Sequence, residues 1–185
     1  MNHLPPPLES LLGRLLRSQR AHDPKLLTRL SPTIHSLPPT LTVHSYLLIV
    51  EDPDAPVPKP IVHGLFYGIP AGRGGVPVAV EGGDFELDGN GEGVAGRLLK
   101  GGFRVGVNWH RNVWSGPRPV LGHGVHRYFF QVVALGGEIA GAGGDGDGDG
   151  VAGGGKALGK EEILERLAGC GVVAWGEWVG TFERK

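Results

Sequence analysis

The sequence predicts a mostly β domain, and three observations carry that reading. First, short apolar runs recur at residues 46–50 (YLLIV), 63–69 (HGLFYGI), 128–135 (YFFQVVAL), 172–175 (VVAW) and 178–182 (WVGTF), each of strand length and each stopped by a glycine, a proline or an acid. Second, the chain holds 34 glycines in 185 residues while its apolar and aromatic content stays near globular levels, which suits tight turns and loops. Third, helical spacing is confined to the first 45 residues and to 160–167. A 19.5 kDa chain is long enough to bury a core as one domain, with 1–45 as an N-terminal helical region, 46–185 as the β domain and 136–155 as a low-complexity glycine and aspartate loop.

Taken in order, Leu8, Leu11, Leu12 and Leu15 fall at i, i+3, i+4 and i+7 after the stop at Pro5, Pro6 and Pro7. Asp23-Pro24 reads as an N-cap followed by proline at the first helical position, with Leu26, Leu27 and Leu30 behind it, and Pro38-Pro39 closes the region. Arg14, Arg17 and Arg20 fit a membrane-surface helix or the solvated face of a packed helix, and the packed helix is the favoured reading. Residues 128–135 are apolar on both faces, as in a strand central to a sheet covered on both sides. Glu161 and Glu162 fall in the first turn of the later helix, where the helix dipole favours them. The stretches 81–96 and 136–155 carry too little apolar surface to order themselves.

Charge and cysteine usage remove several function classes. A formal net charge of -1 gives bulk electrostatics no hold on nucleic acid. Cys170 is the single cysteine, so no intramolecular disulfide forms, and its glycine neighbours suit a buried structural thiol rather than a nucleophile. The N-terminus lacks the apolar core of a signal peptide and no run approaches transmembrane length, so a soluble, cytoplasmic protein is expected.

The chemistry concentrates in two proline-braced segments. Pro53 and Pro56 keep the backbone around Asp52 and Asp54 extended or turn-like, and at a spacing of two their carboxylates can share a side. The plain alternative is an Asx-turn that satisfies nearby backbone N–H groups. His63 opens one apolar run and His126 precedes another, itself led in by Gly116, Pro117 and Pro119, with Tyr128 two residues past His126 on the same face. A lone histidine is usually a packing residue, but two tied to such segments suggest a pocket. A carboxylate bonded to one ring nitrogen favours the imidazolium, leaving the other nitrogen to donate to a phosphate or sulfate oxygen.

These segments, with LLIVEDPDAP, PIVHGLFYGIPA, GPRPVLGHGVHRYFFQVVAL and GEWVGTFER in order over most of 46–182, resemble the fungal members of the phosphatidylethanolamine-binding protein family, the fold of the Raf kinase inhibitor proteins. The resemblance implies a β-sandwich with a few flanking helices, and an anion pocket at Asp52, Asp54, His63, Gly116, Pro117, Pro119, His126 and Tyr128. It further implies non-enzymatic binding of a phosphate, phospholipid headgroup or phosphorylated residue, with regulatory partners such as a kinase or a serine carboxypeptidase and no cofactor. Family members carry further strands before the segment that corresponds to residue 46, so this chain is expected to lack part of the N-terminal side of the sandwich.

Competing motifs are weak. Two G-x-G-x-x-G matches, at 91–96 and 148–153, follow no apolar strand, and the EF-hand-like run from Asp145 has Lys156 where a bidentate glutamate is required. No G-x-S-x-G occurs. Two rivals remain: a metal-dependent hydrolase built on Asp52, Asp54, His63 and His126, and a truncated, nonfunctional family member.

Overall fold

In the computed structural model, residues 5–21, 25, 42–72, 80–89, 96–139 and 157–185 are described. The strands are β1 (Ser45–Asp52), β2 (Ile61–Pro70), β3 (Arg104–Val105), β4 (Val125–Leu135) and β5 (Val172–Glu183), accompanied by helices α1 (Pro6–Leu15) and α2 (Lys160–Cys170). One five-stranded sheet runs in the order β3-β2-β1-β4-β5, with every neighbouring pair antiparallel. The mostly β expectation holds. Opposite the helix-covered face, the described residues contribute two isolated bridges, Leu87 with Leu99 and Leu98 with Arg104.

β1 lies in the middle of this order, which explains why its sequence is a continuous apolar run rather than an alternating one. Its alternate residues feed two cores. Leu47 and Ile49 join Leu65, Tyr67, Val133 and Leu135 under α2, which presents Ile163, Leu167 and Cys170 at helical spacing. On the other face Phe66, Ile69, Leu99, Phe103 and Val105 pack with Leu48 and Phe85. Each large side chain so buried contributes about 1.5–3 kcal/mol. Cys170 is buried and its thiol donates toward the carbonyls of Glu138 and Arg166, as a structural thiol should.

Several expectations need correction. The segment from residue 81 is ordered over Gly82–Phe85 as a 3-10 turn, because Phe85 stacks edge-on against Phe66 and Phe103 at 4.9 and 5.2 Å. One aromatic ring anchors what glycine content alone would leave loose. The two closing runs form a single strand, β5, with Gly176 paired to Val132 rather than breaking the ladder. β4 does have neighbours on both edges, yet Val132 is 41% exposed, so its second face is only partly covered. The helix expected from Asp23-Pro24 and most of the low-complexity loop (140–156) lie outside the described residues.

α1 reverses the favoured reading of its faces. Leu8, Leu11, Leu12 and Leu15 are 55%, 56%, 39% and 71% exposed, whereas Gly13 is buried. A Cβ at Gly13 would stand 2.2 Å from the Leu121 carbonyl oxygen, so only glycine permits this backbone approach. Glu9, on the same inward side, pairs with Arg184 at the end of the chain. The seat is built from backbone and charge, and the leucines are left outside it.

Candidate functional site

Register brings the chemistry to one end of the sheet. Asp52 closes β1 opposite Ile61, which opens β2, while Glu51 pairs with Phe129 near the start of β4. The segments carrying Asp52, His63 and His126 therefore converge without any long-range loop having to find them.

At the end of β1, Asp52 does two things at once. Its Oδ1 accepts the Asp54 N–H at 2.8 Å, which is the Asx-turn alternative realised, and its Oδ2 accepts from His126 Nδ1 at 2.7 Å. His126 Nε2 then meets His123 Nδ1 at 2.7 Å, and His123 Nε2 lies 2.7 Å from the Leu16 carbonyl, just past α1. The carbonyl can only accept, so His123 Nε2 carries hydrogen. Burial, followed by repulsion from His126 and Arg20, lowers the His123 pKa, against the Leu16 carbonyl, which raises it.

His126 was expected to turn its second nitrogen to an anion. That nitrogen is instead occupied by His123, and the ring is buried, so direct donation from His126 is not made in this arrangement. His123 was missed as a participant. The signal for it was its position between Gly122 and Gly124, at φ +76 and +109, which fold the ring back beside the one three residues on.

Asp54 is also committed within the chain. It accepts the Arg127 backbone N–H at 2.9 Å, two guanidinium bonds from Arg127 at 2.8 Å each, and Arg20 Nε at 3.1 Å. Burial pushes its pKa up, but the Arg127 bonds and the two guanidinium charges outweigh that and hold it below the ordinary aspartate value. Arg127 and Arg20, like His123, are site-shaping residues that spacing alone did not expose.

His63 and Tyr128 are different. The His63 Nδ1–H donates to the Ser115 carbonyl at 2.7 Å, while the Ser115 N–H donates back to the His63 carbonyl at 2.9 Å. This clamp fixes the tautomer and leaves Nε2 as the free position. Both His63 Nε2 and the Tyr128 hydroxyl are buried without a hydrogen-bond partner, in rings whose centroids are 5.0 Å apart. Burial lowers the His63 pKa against the raising influence of Ser115 and Asp52. Burial, then the Asp52 and Asp54 charges, raises that of Tyr128, which stays a phenol. At neutral pH the pair thus offers one O–H donor and one imidazole lone pair.

Gly116, Pro117 and Pro119 continue from Ser115. Gly116 and Pro117 are exposed and Pro119 is buried, and the Gly116 backbone lies close enough to bear on the His63 ring. Trp114 stands 6.5 Å from His63 and stacks on Phe130 at 6.1 Å, so it divides His63 from an apolar cavity of about 360 Å3 lined by Leu48, Val50, Phe66, Phe85, Trp114 and Phe130. The metal-site alternative needed Asp52, Asp54, His63 and His126 to converge on one ion. Among the described residues no such group of three or more is placed to hold one, because Asp54 faces arginines and Asp52 and His126 face each other.

Comparison with known proteins follows the same segments. A family model described as phosphatidylethanolamine-binding protein matches residues 17–183. The chain is similar to a phomoidride biosynthesis cluster protein B from a fungal species, 38% identical over 143 residues, covering 76% of this chain and 60% of that protein. A protein of the same description from Talaromyces stipitatus is 36% identical over 146 residues, covering 78% of this chain and 53% of that protein. The chain therefore spans a little over half the length of these relatives. Among solved structures, a phosphatidylethanolamine-binding protein homologue from Chlamydia trachomatis superposes with a TM-score of 0.48 at 24% identity, over 79% of this chain and 77% of that one.

Proposed function

Because the chain belongs to the phosphatidylethanolamine-binding protein family, we propose that it is a non-enzymatic binding protein whose ligand presents a phosphate or phospholipid headgroup to His63 and Tyr128. One observation carries the reading: His63 Nε2 and the Tyr128 hydroxyl are buried side by side with no partner. A buried polar atom left unsatisfied costs about 1–3 kcal/mol, and an anion between the two rings would remove both costs.

In this reading Tyr128 donates directly, and His63 Nε2 must gain a proton before it can donate. The Asp52 carboxylate favours that proton, since its charge already acts to raise the His63 pKa. Asp52, His126 and Asp54 serve as positioning residues that hold the strand ends, while Gly116, Pro117 and Pro119 form the rim. The apolar cavity beyond Trp114 would take the hydrocarbon adjoining a headgroup. A regulatory output, through a kinase or a serine carboxypeptidase, would then depend on whether the pocket is filled.

Calorimetry with inorganic phosphate and phosphorylethanolamine tests this. Affinity should fall by up to about tenfold per pH unit as pH rises through the histidine range, since burial leaves free His63 deprotonated there and one proton accompanies the anion. His63→Ala should abolish the pH dependence. Equal affinity across that range, or an unaffected His63→Ala protein, would overturn the assignment.

A further inference from the structure

We propose that the turn at residues 108–115 docks the protein on an anionic lipid bilayer, with Trp109 and Arg111 entering the interface. The inference rests on the headgroup reading above and names the source of that ligand: lipid still held in a membrane. The turn is fastened beside His63. Asn108 is buried, and its side-chain amide donates to the carbonyls of His63 and Asn112 at 3.3 and 2.7 Å, while its Oδ1 accepts the Asn112 N–H at 3.1 Å. The Ser115 hydroxyl donates to Asn112 Oδ1 at 3.0 Å, and the Trp109 N–H donates to the Val62 carbonyl at 2.9 Å. Trp114 lies 6.5 Å from His63, and the charge of His110 acts on the same ring. What this network leaves in water is Trp109, 59% exposed, and Trp114, 41% exposed, with His110 and Arg111 also exposed in the sequence between them.

Position and charge together name the occupant. A lipid whose headgroup reaches His63 while its chains stay in a bilayer brings that bilayer against this turn. Residues 93–137 contain no aspartate or glutamate, in a chain that has 19, so the turn and the rim that follows it carry positive charge alone. The buried acids of the site are already engaged, Asp52 by His126 and Asp54 by Arg127 and Arg20. Near Phe85, on the border of the apolar cavity, Asp84 accepts the Glu81 N–H and Glu86 pairs with Lys100. Indole rings favour the boundary between headgroups and acyl chains, and a basic side chain close to an anionic surface strengthens binding about fivefold. One short turn of this kind gives weak, reversible docking.

The full chain would be co-sedimented with vesicles of equal parts phosphatidylcholine and phosphatidylserine, and with phosphatidylcholine vesicles alone, while calorimetry follows soluble phosphorylethanolamine. Binding is expected to the mixed vesicles, to weaken with added salt, and to be much poorer to phosphatidylcholine. Trp109→Ala should lose at least about tenfold in partitioning with an unchanged thermal midpoint, since the ring is mostly exposed. Arg111→Gln should lose about fivefold. Trp175→Ala removes an indole of comparable exposure opposite Val133, toward the other end of β4, and should bind vesicles as the parent does. Equal binding to both vesicle types, or a Trp109→Ala protein that partitions unchanged, would overturn the docking even where the parent binds phosphorylethanolamine. A parent that does not bind phosphorylethanolamine would overturn the headgroup reading itself, and with it the source named here. A dimer in solution that Trp109→Ala dissolves, with no vesicle binding by the parent, would also overturn the docking, because it assigns the turn to a second copy of the chain.

Discussion

Two polar clusters share one end of the sheet and each is built around histidine, yet they differ in whether the chain supplies every partner. Around Asp52, Asp54, His123 and His126 the chain supplies the partners itself: a carboxylate, a carbonyl, two guanidinium groups. At His63 and Tyr128 it supplies the clamp behind the ring and leaves the outward atoms bare. The first arrangement is how a fold satisfies buried charge, and the second leaves two buried polar atoms whose partners the proposed ligand would supply. Counting histidines and aspartates cannot separate these two; asking which atoms already have partners does.

That contrast can be broken by experiment, beginning where the effect should be greatest. Asp52→Ala removes the acceptor for both the Asp54 N–H and the His126 ring, so stability should fall by about 3 kcal/mol, with a drop of roughly 6–12 °C in thermal midpoint. A loss under about 1 kcal/mol would mean that the trio does not hold the strand ends. Gly13→Val forces a side chain against the Leu121 carbonyl and should cost about 1–3 kcal/mol by urea denaturation, loosening α1 from His123. An unchanged midpoint would remove the close approach from the account.

Tyr128→Phe should behave in the opposite way. Deleting an unpartnered hydroxyl should leave the ligand-free protein as stable as before or more stable by up to about 1 kcal/mol, while phosphate affinity falls about tenfold. Loss of stability would show that the hydroxyl is satisfied within the protein.

The smallest effect is one of pH. His63 and His123 both have pKa values lowered from 6.5 by burial, so the unfolded chain binds protons more readily than the folded one just below that pH. Stability should be full above the ordinary histidine range and decline as pH falls through it, and saturating phosphate should soften the decline by favouring protonated His63. Urea midpoints that stay flat, or rise on acidification, would contradict the burial of both rings.

Much of this was legible beforehand because it depends on local pattern. Residues 46–50 and 128–135 announce strands by unbroken apolar character, and Pro70 marks where β2 stops. Asp52, His63, His126 and Tyr128 stand out through the prolines and glycines beside them. What escaped depends on contacts distant in sequence. His123 acquires its role from Leu16, 107 residues away, and Asp54 from Arg127, 73 residues away. The facing of α1 was misjudged for a related reason: periodicity locates a stripe of leucines but not the side from which the body approaches. Gly13 decides that, and its meaning appears only once the Leu121 carbonyl is beside it.

β5 carries a consequence for anyone handling the protein. Among the described residues it is the last strand of the sheet, and it runs twelve residues with Trp175, Trp178, Val179 and Phe182 in solvent, so its outer border is a template on which another ribbon can grow. Glu177 and Glu183 are the acids along it, and Glu177 is already neutralised by Lys25. Solubility should therefore be lowest in high salt near the isoelectric pH of about 6.7, where repulsion between neighbouring copies is least, and a lysine in place of Val179 should lift that ceiling.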